Sequence, residues 1–112
     1  MSERDLILYL RDISESGEAI YDYISGYSFK NFHSDRKTYS AVIREFEIIG
    51  EAVGKLPMKF KAEYPEIEWQ DIKDLRNLLI HEYFGVDLEI IWKIIHDDLP
   101  ELLNLIKDLL ES

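Results

Sequence analysis

Apolar or small residues recur at Leu6, Leu10, Ile13, Gly17, Ile20, Ile24 and Tyr27, in alternating steps of four and three. That spacing keeps one face of a helix apolar over several turns and predicts a long amphipathic helix. Ser2, three residues before Asp5, is placed to cap its start. From Gly26 to Ser34 the pattern breaks, and the glycine, serines and asparagine there predict a connecting loop that also holds His33. A second stripe runs through Tyr39, Val42, Phe46, Ile49, Val53 and Leu56 and ends near Gly54 and Pro57. A third comprises Leu88, Trp92, Ile95, Leu99, Leu102, Ile106 and Leu109. Pro100 falls inside this stripe and cannot continue a helix undisturbed. The expectation is a kink, or a new helix starting near Asp98 that takes the proline in its first turn.

Between the second and third stripes lie a short helical stretch around residues 58 to 64, a turn at Tyr64-Pro65-Glu66, and a helix from about Asp71 to Phe84 closed by Gly85. No stretch alternates with period two, so no strand is expected. Four main helices result. Mixed steps of three and four pack at shallow angles, which favours an all-α, antiparallel four- to five-helix bundle formed by residues 1–112 as one domain. Gly50 interrupts the second helix at a cost of roughly 1 kcal/mol relative to alanine, which marks a close approach of another backbone or a ligand. Close helix packing is the simpler of these two explanations.

Composition narrows the function classes. The 112 residues contain no cysteine, which excludes disulfides and thiolate chemistry and suits a reducing, cytoplasmic setting. The opening Met-Ser-Glu-Arg-Asp is too charged for a signal peptide, and charges interrupt every apolar run well short of the ~20 residues that span a membrane. A net charge of −10 argues against broad, non-specific nucleic-acid binding. The charge is uneven, because residues 30 to 61 carry seven basic groups against four acidic ones, a local +3 that leaves −13 elsewhere. Solvated helix faces explain any single lysine there equally well.

The most informative run is Arg76-Asn77-Leu78-Leu79-Ile80-His81-Glu82-Tyr83. An arginine, four residues, a histidine, one residue and a tyrosine, with a polar residue directly after the arginine, is the signature of HepT-type proteins. Further landmarks follow the same order: Gly50-Glu51-Ala52, Pro65, Trp69, Tyr83-Phe84-Gly85-Val86-Asp87, Trp92 and Asp98-Leu99-Pro100. On these residues the chain resembles the HepT-like toxins of the HEPN ribonuclease superfamily. The resemblance implies a helical bundle that forms a homodimer and cuts RNA without a metal or other cofactor. It also implies a paired nucleotidyltransferase antitoxin that silences the toxin by attaching AMP to the motif tyrosine. Arg76 and His81 would then be catalytic, Asn77 a helper, and Tyr83 the modified residue.

Elementary chemistry agrees with that assignment. Cutting RNA without a metal needs a group to take the 2′-hydroxyl proton, one to protonate the leaving 5′-oxygen, and a cation on the transition state. Histidine, with an ordinary pKa near ~6.5, serves either proton role. Arginine stays charged and matches phosphate oxygens with a fork of donors. Helix geometry adds a constraint: positions five apart on an ideal helix point about 140° away from each other, whereas Arg76 and Tyr83 differ by about 20°. The arginine must reach round, the helix must distort near Gly85, or a second copy must complete the site. A twofold dimer would supply both an acid and a base.

Blander roles exist for each residue. His81 can serve a helix C-terminus, Arg76 can pair with an acid one turn away, and Tyr83 can sit at the edge of the core. His33 and His96 need no chemical role, and Trp69 and Trp92 suit core or interface anchors. The residues three before His33, His81 and His96 are Lys30, Leu78 and Lys93, so no Glu-x-x-His metal pair is present. The leading rival is a non-catalytic helical subunit that binds a nucleotidyltransferase and presents its substrate, which the strong acidity favours. A bare dimerisation module is the third alternative.

Overall fold

The computed structural model describes residues 1–81 and 87–112, apart from the side chains of Ile80 and His81. Among these residues the architecture is an all-α bundle of seven helices with no strand: α1 (Glu3–Ile24), α2 (Phe29–Ser34), α3 (Arg36–Lys55), α4 (Met58–Ala62), α5 (Trp69–His81), α6 (Leu88–Asp97) and α7 (Leu99–Glu111). No helix described is long and apolar enough to cross a membrane.

The two long stripes become the core as their spacing predicts. Leu10, Ile13, Gly17, Ile20 and Ile24 are buried on α1, and Val42, Phe46, Ile49 and Val53 on α3. These faces pack against each other, while α3 also contacts α5, and α7 covers α1. The Ser2 hydroxyl accepts from the Asp5 amide at 3.1 Å and so satisfies one of the free donors at the start of α1. The third stripe divides at Asp98, which ends α6 and begins α7, leaving Pro100 in the first turn, where its missing N–H costs nothing. Ile95, Leu99, Leu102 and Ile106 stay buried across the break.

The stretch expected to be a loop from Gly26 to Ser34 is a correction. It contains α2, because the Ser28 hydroxyl accepts from the Asn31 amide at 3.2 Å while the Asn31 side-chain oxygen accepts from the Ser28 amide at 3.3 Å. This reciprocal cap starts a helix too short to show a hydrophobic period. Its one turn and a half buries Phe32 completely, with the ring 5.1 Å from that of Trp92. His33 therefore lies in the last turn of α2, stacked on Phe29 at 5.7 Å, rather than in a loop. Asp35 ties the segment to α3: it accepts from the Tyr27 hydroxyl at 2.6 Å, the Thr38 hydroxyl at 2.8 Å and the Thr38 amide at 3.2 Å. These bonds, Tyr27 first, hold its carboxyl below the usual range.

α5 starts two residues earlier than the expected Asp71, since the Glu68 carbonyl accepts from the Ile72 amide at 3.3 Å. The expected closure of this helix at Gly85 lies outside the described residues.

Candidate active site

α5 is held at its start by Trp69, whose indole N–H donates to the carbonyls of Tyr64 at 3.0 Å and Lys61 at 3.1 Å. The ring stacks into a small cluster with Phe60, which in turn meets Tyr64. Trp69 thus anchors the start of the helix. Farther along α5, Ile72, Leu75 and Leu79 recur at steps of three and four and are all buried. That apolar face fixes the rotation of α5, and with it the direction of every polar side chain the helix carries.

Arg76 follows at the edge of this buried face and is itself half-buried. It crosses α3 at Gly50, where a Cβ added to the glycine would stand 2.5 Å from Arg76 Cβ, 2.9 Å from Cγ and 3.1 Å from Cδ. The close approach foreseen at Gly50 is therefore a side chain, that of the motif arginine. Asn77, the next residue, is exposed. The backbone of His81 forms the last residue of α5, whereas its side chain and the whole of Tyr83 lie outside the described residues.

On α3, Arg44 pairs with Glu47 at 3.1 Å and Lys55 with Glu51 at 3.6 Å, both pairs of little energetic weight. Lys55 also lies 5.6 Å from the Tyr9 ring centre. On the α6 flank, a groove of about 570 Å³ has a floor of Leu75, Leu78, Ile90 and Ile94 and a rim that includes Asp71, Asp74, Asp97 and Asp98. Burial, followed by the charges of Asp71, Asp97, Glu68 and Glu101, pushes the Asp98 carboxyl above the ordinary carboxylate range. No three acidic or imidazole side chains among the described residues converge as a metal ligand set would. A polyanion meets repulsion on the α6 flank.

Sequence reasoning missed this groove, although Asp97 and Asp98 stood side by side in the chain and Asp71 and Asp74 lay about one helical turn apart. It also missed the aromatic cluster in which Trp92 meets Phe32, Phe29 and His96, at 5.1, 6.1 and 4.5 Å. His96 Nδ1 lies 2.7 Å from the Trp92 carbonyl, in the last turn of α6.

The chain matches the family described as "Ribonuclease HepT-like" over residues 13–109. It is 46% identical to a Thermococcus cleftensis protein named as a probable ribonuclease HepT, over 84% of this chain and 86% of that one. A Methanocaldococcus jannaschii protein provisionally named an RNase is 42% identical over 97% of this chain and 93% of its own length. A similarly named protein of Caldanaerobacter subterraneus subsp. tengcongensis is 40% identical over 93% of both chains. No solved structure matches.

Proposed function

The chain belongs to the HepT-like ribonuclease family, and on that premise we propose that it is a metal-independent endoribonuclease whose chemistry rests on Arg76 and His81. The observation that carries this reading is the placement of Arg76. It is half-buried, seated on Gly50, and on the flank of α5 away from the acidic groove. A guanidinium there meets an RNA phosphate without competition from four aspartates. Arg76 would donate to the non-bridging oxygens as negative charge builds up in the transition state. The 2′-oxygen forms the new bond to phosphorus, the bond to the 5′-oxygen breaks, and the product carries a 2′,3′-cyclic phosphate. His81 takes the 2′-hydroxyl proton or gives one to the leaving oxygen. Asn77, exposed beside Arg76, adds a hydrogen bond to the substrate.

α5 is helical without interruption from Arg76 to His81, which supports completion of the site across a homodimer, because on a regular helix the two positions point about 140° away from each other. A twofold axis would bring the arginine of one copy to the histidine of the other. The protein would act as the toxin of a toxin–antitoxin pair in the cytoplasm. In the silencing reaction the Tyr83 oxygen attacks the α-phosphorus of ATP, pyrophosphate leaves, and AMP remains on the tyrosine. A bulky anion placed about 20° from Arg76 round the helix competes with RNA for the guanidinium.

Purified His81→Ala should lose RNA cleavage and toxicity while keeping its helicity and its dimer. Parental cleavage by His81→Ala would remove the catalytic assignment of His81, whereas absence of cleavage by the parent protein would favour the non-catalytic subunit. Intact-mass measurement with the partner and ATP should show AMP on the parent and none on Tyr83→Phe.

A further inference from the structure

The seat of Arg76 carries a further assignment. Carbon atoms rest about 3.5–4.0 Å apart in van der Waals contact, so a Cβ at position 50, 2.5 Å from Arg76 Cβ and 2.9 Å from Cγ, has no room. Which atom is nearest decides the consequence. The end of a long side chain can swing aside, but a Cβ is fixed to its own backbone and no rotation about χ1 moves it. Relief requires α5 to move away from α3 by about an ångström. That displacement would carry Arg76 with it.

We propose that Gly50 is a positioning residue for Arg76: its missing side chain is the seat on which the first three carbons of the arginine lie, so that the guanidinium is held at one place against the substrate. The proposal rests on the reading of Arg76 as the phosphate-binding cation. Pinning the stem leaves only the last torsions free, and less freedom is lost when the guanidinium meets a phosphate. A glycine needed only to bring two helices together would serve equally well opposite any residue at position 76. A glycine that seats the arginine acts through it, and removing the arginine should make the glycine dispensable for function.

The test compares the parent, Gly50→Ala, Arg76→Ala, Arg76→Gly and the double variant of Gly50→Ala with Arg76→Gly, using a defined RNA oligonucleotide for cleavage and its all-2′-deoxy counterpart for binding at several salt concentrations. Gly50→Ala should lower the rate of cleavage at saturating RNA by about 10- to 100-fold, the loss expected when a catalytic group is misplaced by about an ångström. It should also reduce the salt dependence of binding by about as much as Arg76→Ala does, close to one phosphate contact. In the double variant, Gly50→Ala should change binding less than about twofold beyond Arg76→Gly alone, because glycine at position 76 removes the clashing Cβ together with the cation. Cleavage by Gly50→Ala at the parental rate, with Arg76→Ala inactive, would overturn this proposal and leave the ribonuclease reading standing. Parental cleavage by Arg76→Ala would overturn both the seat and the catalytic assignment of Arg76.

A stability measurement covers the case in which Gly50→Ala folds poorly. Arg76→Gly removes the clashing Cβ, so any fall in thermal midpoint caused by Gly50→Ala should vanish against Arg76→Gly. A penalty that persists there would show that the glycine serves the packing of α3 alone, and would contradict the seat.

Discussion

Two buried glycines stand at helix crossings among the described residues, and they meet different atoms. Gly17 of α1 faces α7, where an added Cβ would meet Leu103 Cδ2 at 2.5 Å, Cδ1 at 2.6 Å and Cγ at 3.0 Å. Those atoms are the far end of an apolar side chain, which can turn within the core. Gly50 of α3 faces α5, where the obstructing atom is the Cβ of a cationic side chain in the family motif. Both glycines forgo helix propensity, at about 1 kcal/mol each relative to alanine. At Gly17 the return is core packing alone. At Gly50 the proposed return is also the placement of Arg76, which would make local stability a poor guide to which glycine matters for function.

The contrast breaks most sharply on activity. Gly50→Ala should reduce cleavage by about 10- to 100-fold, whereas Gly17→Ala should leave the activity of the folded protein unchanged. The cost at Gly17 should appear in denaturant or thermal unfolding, as about 1–2 kcal/mol at most, because a gain in helix propensity offsets part of the crowding of Leu103. Equal loss of activity in the two variants would mean that general packing, not the seat of Arg76, controls the rate.

Gly54 sharpens the comparison from the other side. It lies on the same helix as Gly50, is exposed, and nothing stands within 4 Å of a Cβ added there. Gly54→Ala isolates propensity and should stabilise the protein by up to about 1 kcal/mol, read as a midpoint a few degrees higher. A loss of stability would show that α3 tolerates no added methyl anywhere, and the reasoning at Gly50 would weaken with it.

The smallest effect concerns the groove on the opposite flank of α5. Burial and neighbouring carboxylates raise the Asp98 carboxyl, so the folded state holds that proton more tightly than the unfolded chain does. Asp98 thus opposes folding at neutral pH, and the penalty fades as pH falls through its raised value towards the ordinary one. Asp98→Asn should stabilise the protein at pH 7 by about a few tenths of a kcal/mol after solvent screening, with the gain shrinking near pH 4 and in high salt. Asp35, held low by Tyr27 and Thr38, behaves in the opposite sense, and its contribution is lost as pH falls below the ordinary carboxylate value.

These elements also show what the chain revealed before folding. The stripes of α1 and α3 and the break at Asp98 were legible because each apolar face repeats over several turns and Pro100 admits few placements. α2 was not, since six residues are too few for a helical period to stand out from glycine and serine around it. Its only local signal was the Ser28–Asn31 pair, at the spacing of a capping box. Gly50 announced a close approach but not its partner, because α3 and α5 meet only in the folded chain. The acidic groove was hidden for the same reason, its aspartates being split between α5 and the junction of α6 with α7. Arg76, Asn77, His81 and Tyr83 were singled out by motif spacing and resemblance, and the surroundings of Arg76 came only with the fold.

The most direct test of the account is cleavage of a defined RNA by the purified protein in excess EDTA, with the new ends identified by mass. The account predicts cleavage that EDTA leaves undiminished, with 2′,3′-cyclic phosphate on the upstream fragment and a 5′-hydroxyl on the downstream one. Cleavage that appears only on adding a divalent cation, or that leaves a 3′-hydroxyl and a 5′-phosphate, would contradict it.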